Sequence, residues 1–229
     1  MILQAKTAIR AVLPKNAFAR GVSVLVGGTA SAQILLVLAA PILTRLYTPE
    51  DFGLLAVYAS VLALIGVISS LRYELAIPLP EDDVEAANVA VLSLLLIAIN
   101  TALTAMLVLM LGAPGTQLLG VPALADYLWL LPVGVLFAGA YKVFNYWSVR
   151  TKRFSTIART KLTQAIATLL IQLTTFKLGG IGLLLGQVAG QSVGTTSLAR
   201  PALATQALKQ GSWVGIKFGA VRYRRFPIF

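Results

Sequence analysis

Arg72, Glu74, Glu81, Asp82, Asp83 and Glu85 fall within the twenty positions LRYELAIPLPEDDVEAANVA, 71–90, of a chain with only 8 acidic residues in all. Four carboxylates between 81 and 85 have the density of a divalent-metal site, or of a carboxyl pair in which one gives a proton and the other takes one. The same residues also read as a helix start. Pro78 and Pro80 stop the preceding segment, and acids in the first turn of the next helix meet the positive end of its dipole. Arg72 and Glu74 stand apart, just after an apolar run, where they either pair locally or face an internal cavity.

Other chemistry is narrowed by what is missing. The chain has no cysteine and no histidine, which removes disulfides, thiolate nucleophiles, imidazole acid–base catalysis and Cys or His metal sites. GGTASA at 27–32 lacks the Lys-Ser/Thr of a phosphate-binding loop. No cofactor and no metal are expected.

The elements that must position these residues are set by hydropathy. Of the 229 residues 58% are hydrophobic and 12% charged, against about 45–50% and about 25% in a soluble domain. Six apolar runs recur: Gly21 to Leu43, Phe52 to Leu71, Ala86 to Leu111, Tyr127 to Val149, Thr160 to Leu178 and Ile181 to Leu198. About 20 apolar residues of helix cross a hydrocarbon core about 30 Å thick. None of the runs alternates as a barrel strand does, and in lipid a helix satisfies its own backbone. The expectation is an all-α polytopic membrane protein with a bundle of six transmembrane helices over 21–198. A basic segment, 1–20, precedes it and a basic tail, 199–229, with partial helix follows. The first run is too long for a signal-peptide core and reads as an uncleaved anchor.

Polar residues inside the runs fall in rows. Gly182, Gly186, Gly190 and Gly194 are four apart, one face of a helix on which a neighbouring backbone can approach closely. Gln187, Gln191 and Thr195 run beside them, and Thr160, Gln164, Thr168 and Gln172 repeat the interval in the fifth run. Such rows either bond between helices or line a wet cavity. Ser23, Gly27 and Ser31, with Gln33, continue the theme in the first run, and Ser93, Asn100 and Thr104 in the third. Pro41 is expected to bend the end of the first helix. Lys142 is the one formal charge well inside a run, about seven residues or roughly 10 Å from its nearer end. It either snorkels to the interface or faces a central cleft with Asn145 and Tyr146.

The 19 Lys and Arg residues set a direction. With the N-terminus cytoplasmic, the inner segments hold 16 of them, the outer loops only Arg45 and Lys177, and the fourth run Lys142. The net charge of +11 therefore reads as membrane orientation and attraction to anionic lipid, not as a nucleic-acid surface, since no aromatics interleave with the basic residues.

LTRLYTPEDFGLLAVYAS at 43–60 and, one run later, LRYELAIPLPEDDVEAANVAVLSLLL together resemble the start of the bacterial oligosaccharide flippases and polysaccharide-export proteins. VRTKRFSTIARTKL, GGIGLLLGQVAGQ and VRYRRFPIF extend the resemblance along the chain. That resemblance, to the multidrug/oligosaccharidyl-lipid/polysaccharide exporter superfamily, implies two related bundles around a cleft that opens alternately to either side of the inner membrane. It implies a transporter and not an enzyme, with a polyprenyl-diphosphate-linked oligosaccharide as cargo for O-antigen, capsule or exopolysaccharide. Six runs make one such bundle, so a C-terminal helical half is an expected partner, with polysaccharide polymerase machinery beyond it. The implied cationic cleft makes Arg20, Arg45, Arg72, Lys142 and Asn145 the substrate-binding candidates, Lys142 as a point charge for the diphosphate. The competing classes are a membrane glycosyltransferase or polymerase, for which the 81–85 carboxylates are the only acids available, and a multidrug exporter.

Overall fold

The computed structural model describes residues 17–118, 122–210, 212–224 and 226. Lys6, Arg10, Lys15 and Arg225, and with them most of the expected N-terminal basic segment, lie outside these residues. Every regular element among the described residues is helical: α1 (Ala17–Leu46), α2 (Pro49–Ile68), α3 (Asp83–Leu118), α4 (Leu130–Arg150), α5 (Phe154–Thr174), α6 (Gly180–Leu203), α7 (Gln206–Lys209) and α8 (Trp213–Arg222), with 3-10 turns at Tyr73–Ala76, Pro122–Tyr127 and Phe176–Leu178.

Local chemistry sets the boundaries. Thr48 Oγ1 accepts from the Asp51 amide (3.3 Å) while Asp51 Oδ2 accepts from the Thr48 amide (2.9 Å), with Pro49 in the first turn, a reciprocal cap that starts α2. Thr48→Ala removes one half of it, and the thermal midpoint in detergent should fall by an amount equivalent to about 1 kcal/mol. Asp82 Oδ2 accepts from the Glu85 amide at 3.0 Å and caps α3. α3 breaks at Gly112 (φ 40°, ψ −132°), a conformation open to glycine, one residue after the third apolar run ends.

Three helices, Ala19–Leu46, Pro49–Ile68 and Asp83–Gly112, are long and apolar enough to cross a membrane. Their apolar windows are only 11%, 22% and 11% buried within the protein, so most of their Leu, Val and Ile surface faces outward. Leu38, Leu64, Leu109 and Met110 are all more than two-thirds exposed. Apolar patches of that extent are not left to water, and hydrocarbon is the medium that solvates them. α4, α5 and α6 have 21, 21 and 24 residues and bury 11, 6 and 10 of them.

Successive helices run up and down. At one end meet the start of α1, the ends of α2, α4 and α6, and the starts of α3 and α5. Gly21 abuts Phe154, Arg153 donates to the Pro201 carbonyl (3.0 Å), and Arg150 joins α4 to the start of α3. At the other end Tyr58 donates to the Leu130 carbonyl (3.0 Å), Tyr47 to the Gln172 carbonyl, and Gly180 lies against Leu54 and Asp51. Apolar clusters fill both ends: Ile77, Val89, Ile97, Val143, Trp147 and Leu198 at the first, and Tyr58, Leu124, Leu130, Val135 and Leu184 at the second.

The 81–85 acids are taken up by this architecture. Arg150, its side chain 10% exposed, donates through Nε (3.0 Å) and Nη2 (2.8 Å) to Asp83 Oδ1 and also reaches the carbonyls of Ile77, Pro80 and Glu81. One guanidinium thus fastens the 77–83 loop to the end of α4. Arg150→Met leaves those carbonyls and the carboxylate without their donor, and a loss of about 2–4 kcal/mol in unfolding free energy is expected. Arg150→Lys should restore little, because one ammonium cannot reproduce a planar fork of five donors. Denaturant unfolding of both variants in detergent checks this.

The described residues beyond the sixth run include two short helices, α7 and α8. α6 continues through Pro201 to Leu203, and α8 docks on the first turns of α3. The Ser212 amide donates to Asn88 Oδ1 (2.9 Å), Tyr73 donates to the Ala220 carbonyl (3.0 Å), and Arg222 pairs with Glu85 (2.9 Å). Tyr223 also donates to Glu85 (3.2 Å), and burial together with that carboxylate raises its phenol pKa, which keeps the donor proton in place.

Candidate functional site

The glycine face of α6 makes the site possible. A Cβ at Gly182 would stand 2.6 Å from the Thr175 carbonyl oxygen and 2.7 Å from the Tyr47 hydroxyl; at Gly186, 2.9 Å from the Thr168 carbonyl oxygen; at Gly190, on Thr168 Oγ1; at Gly194, on the Gln164 amide. α5 therefore lies directly on Gly186, Gly190 and Gly194, where it places its own row, Gln164, Thr168 and Gln172, while Gly182 faces Thr175 just past the end of α5 and Tyr47. Gln172 Nε2 donates to the Leu183 carbonyl (3.3 Å), and Thr195 Oγ1 donates to the Phe137 carbonyl of α4 (2.8 Å). The rest of the two polar rows, Gln164, Thr168, Gln187 and Gln191 with Gln172, lines a cavity of about 520 Å³.

Four helices wall that cavity. α1 contributes Thr29, Ala32, Gln33 and Leu36; α4 contributes Ala138, Tyr141 and Lys142; α5 adds Lys161 and Ala165, and α6 adds Gly190. α1 closes on α5 through Gly28, where a Cβ would come within 2.9 Å of the Ala158 backbone. Gly27 next to it has nothing within 4 Å, so the small-residue seam of α1 runs through Gly28 and not through the Ser23–Gly27–Ser31 row. Ser23 and Ser31 need no neighbour, since each hydroxyl donates to the carbonyl four residues back. Gly27→Ala should be neutral or stabilising by up to about 1 kcal/mol, while Gly28→Ala destabilises. Melting of the two variants side by side distinguishes them.

Lys142 is the pivot. Its ammonium crosses the bundle to the Gly66 carbonyl in the last turn of α2 (2.7 Å), the negative end of that helix dipole. A Cβ at Gly66 would stand 3.4 Å from Nζ, an ordinary van der Waals contact. Lys142 and Tyr141 also line a second cavity of about 300 Å³ with Val67, Arg72, Glu74, Leu75, Asn145 and Tyr146. The two spaces share these two residues and run from the middle of the bundle toward the end of α2. Leu71 (φ 49°) and Arg72 (φ 60°), both left-handed, hold the rim. Non-glycine residues in that conformation carry about 1–2 kcal/mol of strain each, which surrounding structure must offset. Ser70 Oγ donates to the buried carboxylate of Glu74.

Lys161 completes the larger cavity. Its ammonium sits over the Tyr141 ring, 4.8 Å from the centroid. In the sequence Lys161 is one of the 16 basic residues of the inner segments, yet it shares a face with Gln164, Thr168 and Gln172 at intervals of three, four and four. Tyr141 Oη, Asn145 Oδ1 and Gln191 Oε1 are buried with no hydrogen-bond partner among the described residues. Of the other substrate-binding candidates, Arg72 and Asn145 line the smaller cavity, whereas Arg20 and Arg45 line neither and stand exposed at opposite ends of α1.

The chemistry of the enclosed space follows. The larger cavity presents two ammonium groups, five glutamine amides and no carboxylate; the only acid of the pair, Glu74, is in the smaller cavity and bonded to Ser70. Such a lining favours an anion with oxygen-rich, hydroxyl-bearing attachments over a cation or a bare hydrocarbon.

A family model for polysaccharide biosynthesis proteins matches residues 42–203, from the last turns of α1 to the end of α6. No curated protein and no solved structure matches the chain.

Proposed function

Since the chain belongs to this polysaccharide biosynthesis protein family, we propose that it carries a polyprenyl-diphosphate-linked oligosaccharide across the bacterial inner membrane, from the cytoplasmic to the outer leaflet, without making or breaking a bond. The observation that carries the reading is the pair of cavities lined in common by Tyr141 and Lys142, with Lys161 in the larger, inside a bundle whose outer surface is apolar. α1 to α6 all cross the bilayer, and the end that gathers Arg72, Arg150, Lys152, Arg153, Arg159 and Arg200 faces the cytoplasm. The ammonium groups take the diphosphate as point charges, the glutamine rows and the unpaired Tyr141 and Asn145 atoms take sugar hydroxyls, and the isoprenoid tail stays in lipid. Release of the Gly66 carbonyl by Lys142 when phosphate arrives loosens the link between α4 and α2, a route by which cargo shifts the bundle.

The leaflet position of the glycan tests this. When the gene is removed from its host, lipid-linked oligosaccharide should accumulate and resist periodate added outside intact spheroplasts; restoring the gene should make it accessible. Failure to synthesise the lipid-linked glycan at all would instead place the protein among the glycosyltransferases or polymerases, and unchanged glycan with lost drug resistance would make it a drug exporter.

A further inference from the structure

α8 has two faces, and only one of them is occupied. Gly215, Ile216, Gly219 and Ala220 turn toward α3 and the 73–76 turn: the Cβ that glycine lacks at 215 would fall on Asn88, and at 219 it would stand 3.3 Å from Val89. The opposite face carries Trp213, Val214, Phe218 and Val221, which are 71%, 80%, 58% and 66% exposed, with Lys217 between them and Arg222 at its edge. A ten-residue helix fixed by Asn88, Tyr73 and Glu85 is not a loose linker, and its bare side is the more apolar one.

Where it is fixed identifies the occupant. α8 packs on Glu85, Asn88 and Val89, in the first two turns of the membrane-length apolar segment Asp83–Gly112, whose large apolar side chains turn outward further on, at Leu95, Ile99 and Leu103. That places the axis of α8 at the level where polar loop gives way to hydrocarbon. We infer that α8 is an interfacial helix, lying on an anionic bilayer with Trp213, Val214, Phe218 and Val221 in the headgroup–acyl boundary and Lys217, Arg222 and Arg224 against lipid phosphate. Tryptophan is the side chain that interfaces favour, and basic residues around an apolar stripe match a negative leaflet. Through Glu85 and Asn88 the helix ties the start of α3 to the membrane surface, and through Tyr73 it ties the strained Leu71–Arg72 rim of the smaller cavity to the same plane. The inference needs α3 to be a membrane span and does not depend on what the cavities carry.

The absence of native cysteine makes the test direct. Val214→Cys and Phe218→Cys, each carrying a nitroxide on the full chain in vesicles of mixed phosphatidylglycerol and phosphatidylcholine, are compared with Asp82→Cys and with Leu107→Cys on the outer face of α3. Both α8 probes should collide with oxygen in preference to a water-soluble nickel complex, several-fold more so than Asp82→Cys and less than Leu107→Cys. The preference should weaken when phosphatidylglycerol is left out. Nickel access equal to that at Asp82→Cys means that the helix stands in water, and exclusion of both reagents means that protein covers it; either result overturns the inference.

Discussion

Gly186→Ala should cost this protein about 2–4 kcal/mol, and Gly186→Leu should prevent the α5–α6 pair from forming. The added Cβ would stand 2.9 Å from the Thr168 carbonyl oxygen, which belongs to a helix backbone and cannot rotate away, and would overlap Gln172. Gln172 cannot yield either: its amide is held by the Leu183 carbonyl, and its own carbonyl accepts from Tyr47. The helices must therefore separate, and the cavity that both of them line would lose its shape. Gly190→Ala meets a different obstacle, the Thr168 hydroxyl, with the Gln164 carbonyl oxygen 3.1 Å away. Pairing it with Thr168→Ala should recover much of the loss, whereas no side-chain change at 168 should rescue Gly186→Ala. Thermal unfolding in detergent measures the whole set. Equal rescue of both glycine variants would mean that the backbone approach at Gly186 is not what limits the packing.

Lys142→Met should reduce transport about tenfold or more, since a partly buried hydrogen bond from a charged group is worth about 1.5–3 kcal/mol and each 1.4 kcal/mol is about tenfold. Two losses coincide at this position: the point charge lining both cavities and the bond to the Gly66 carbonyl. Lys142→Arg should restore part of the activity, with the charge retained and the single-donor contact to α2 replaced by a bulkier fork. Lys161→Met acts on charge alone, because its partner is a ring face, so its effect should be the smaller, and the double variant should be inactive. Tyr141→Phe keeps the ring under Lys161 and removes only the unpaired hydroxyl, and about a fivefold loss is expected from one hydrogen bond of about 1 kcal/mol. Rates are read as external accessibility of the lipid-linked glycan per unit of folded protein, with the melting temperature of each variant as the control for stability. Full activity in the double methionine variant would remove the two ammonium groups from the mechanism.

The helices were readable from the sequence because lipid and backbone impose one pattern, a long apolar run with caps at its ends. Thr48, Pro49 and Asp51 marked the start of α2, and the third run stopped one residue before the break at Gly112. Helix limits and apolar limits are different quantities, however. α5 begins at Phe154, six residues before its apolar run, because Ser155, Thr156 and Arg159 are polar and still helical. That offset puts Lys161, one of the basic residues of the inner segments, inside the helix. The spacing of Gly182, Gly186, Gly190 and Gly194 was visible as a period; that α5 fills the groove, and brings its glutamine row along, is a long-range fact no local pattern carries. Lys142 had two readings, a stem bent to the interface or a charge in the cleft; its ammonium meets the carbonyl of Gly66, 76 positions away, a partner no local pattern names. The rows in α1 and α3 had a simpler fate. Ser23, Ser31, Ser93 and Thr104 return their hydroxyls to their own helix, an option open to a short polar side chain and closed to glutamine. The acids at 81–85 likewise drew attention as a cluster, but two of them meet arginines, Arg150 and Arg222, that lie 67 and 137 residues further on.

The central claim is that an anionic, glycan-bearing lipid occupies the cavity walled by α1, α4, α5 and α6. Gln33 lines that cavity from α1 without being buried against a neighbour, so a photoreactive benzophenone can replace it there. In membranes of the producing host carrying radiolabelled lipid-linked oligosaccharide, irradiation should label the protein through position 33. The labelling should fall to background when Lys142 and Lys161 are both methionine. Labelling that is no stronger than from the lipid-facing position Leu107, or that persists unchanged in the double methionine protein, would contradict the claim.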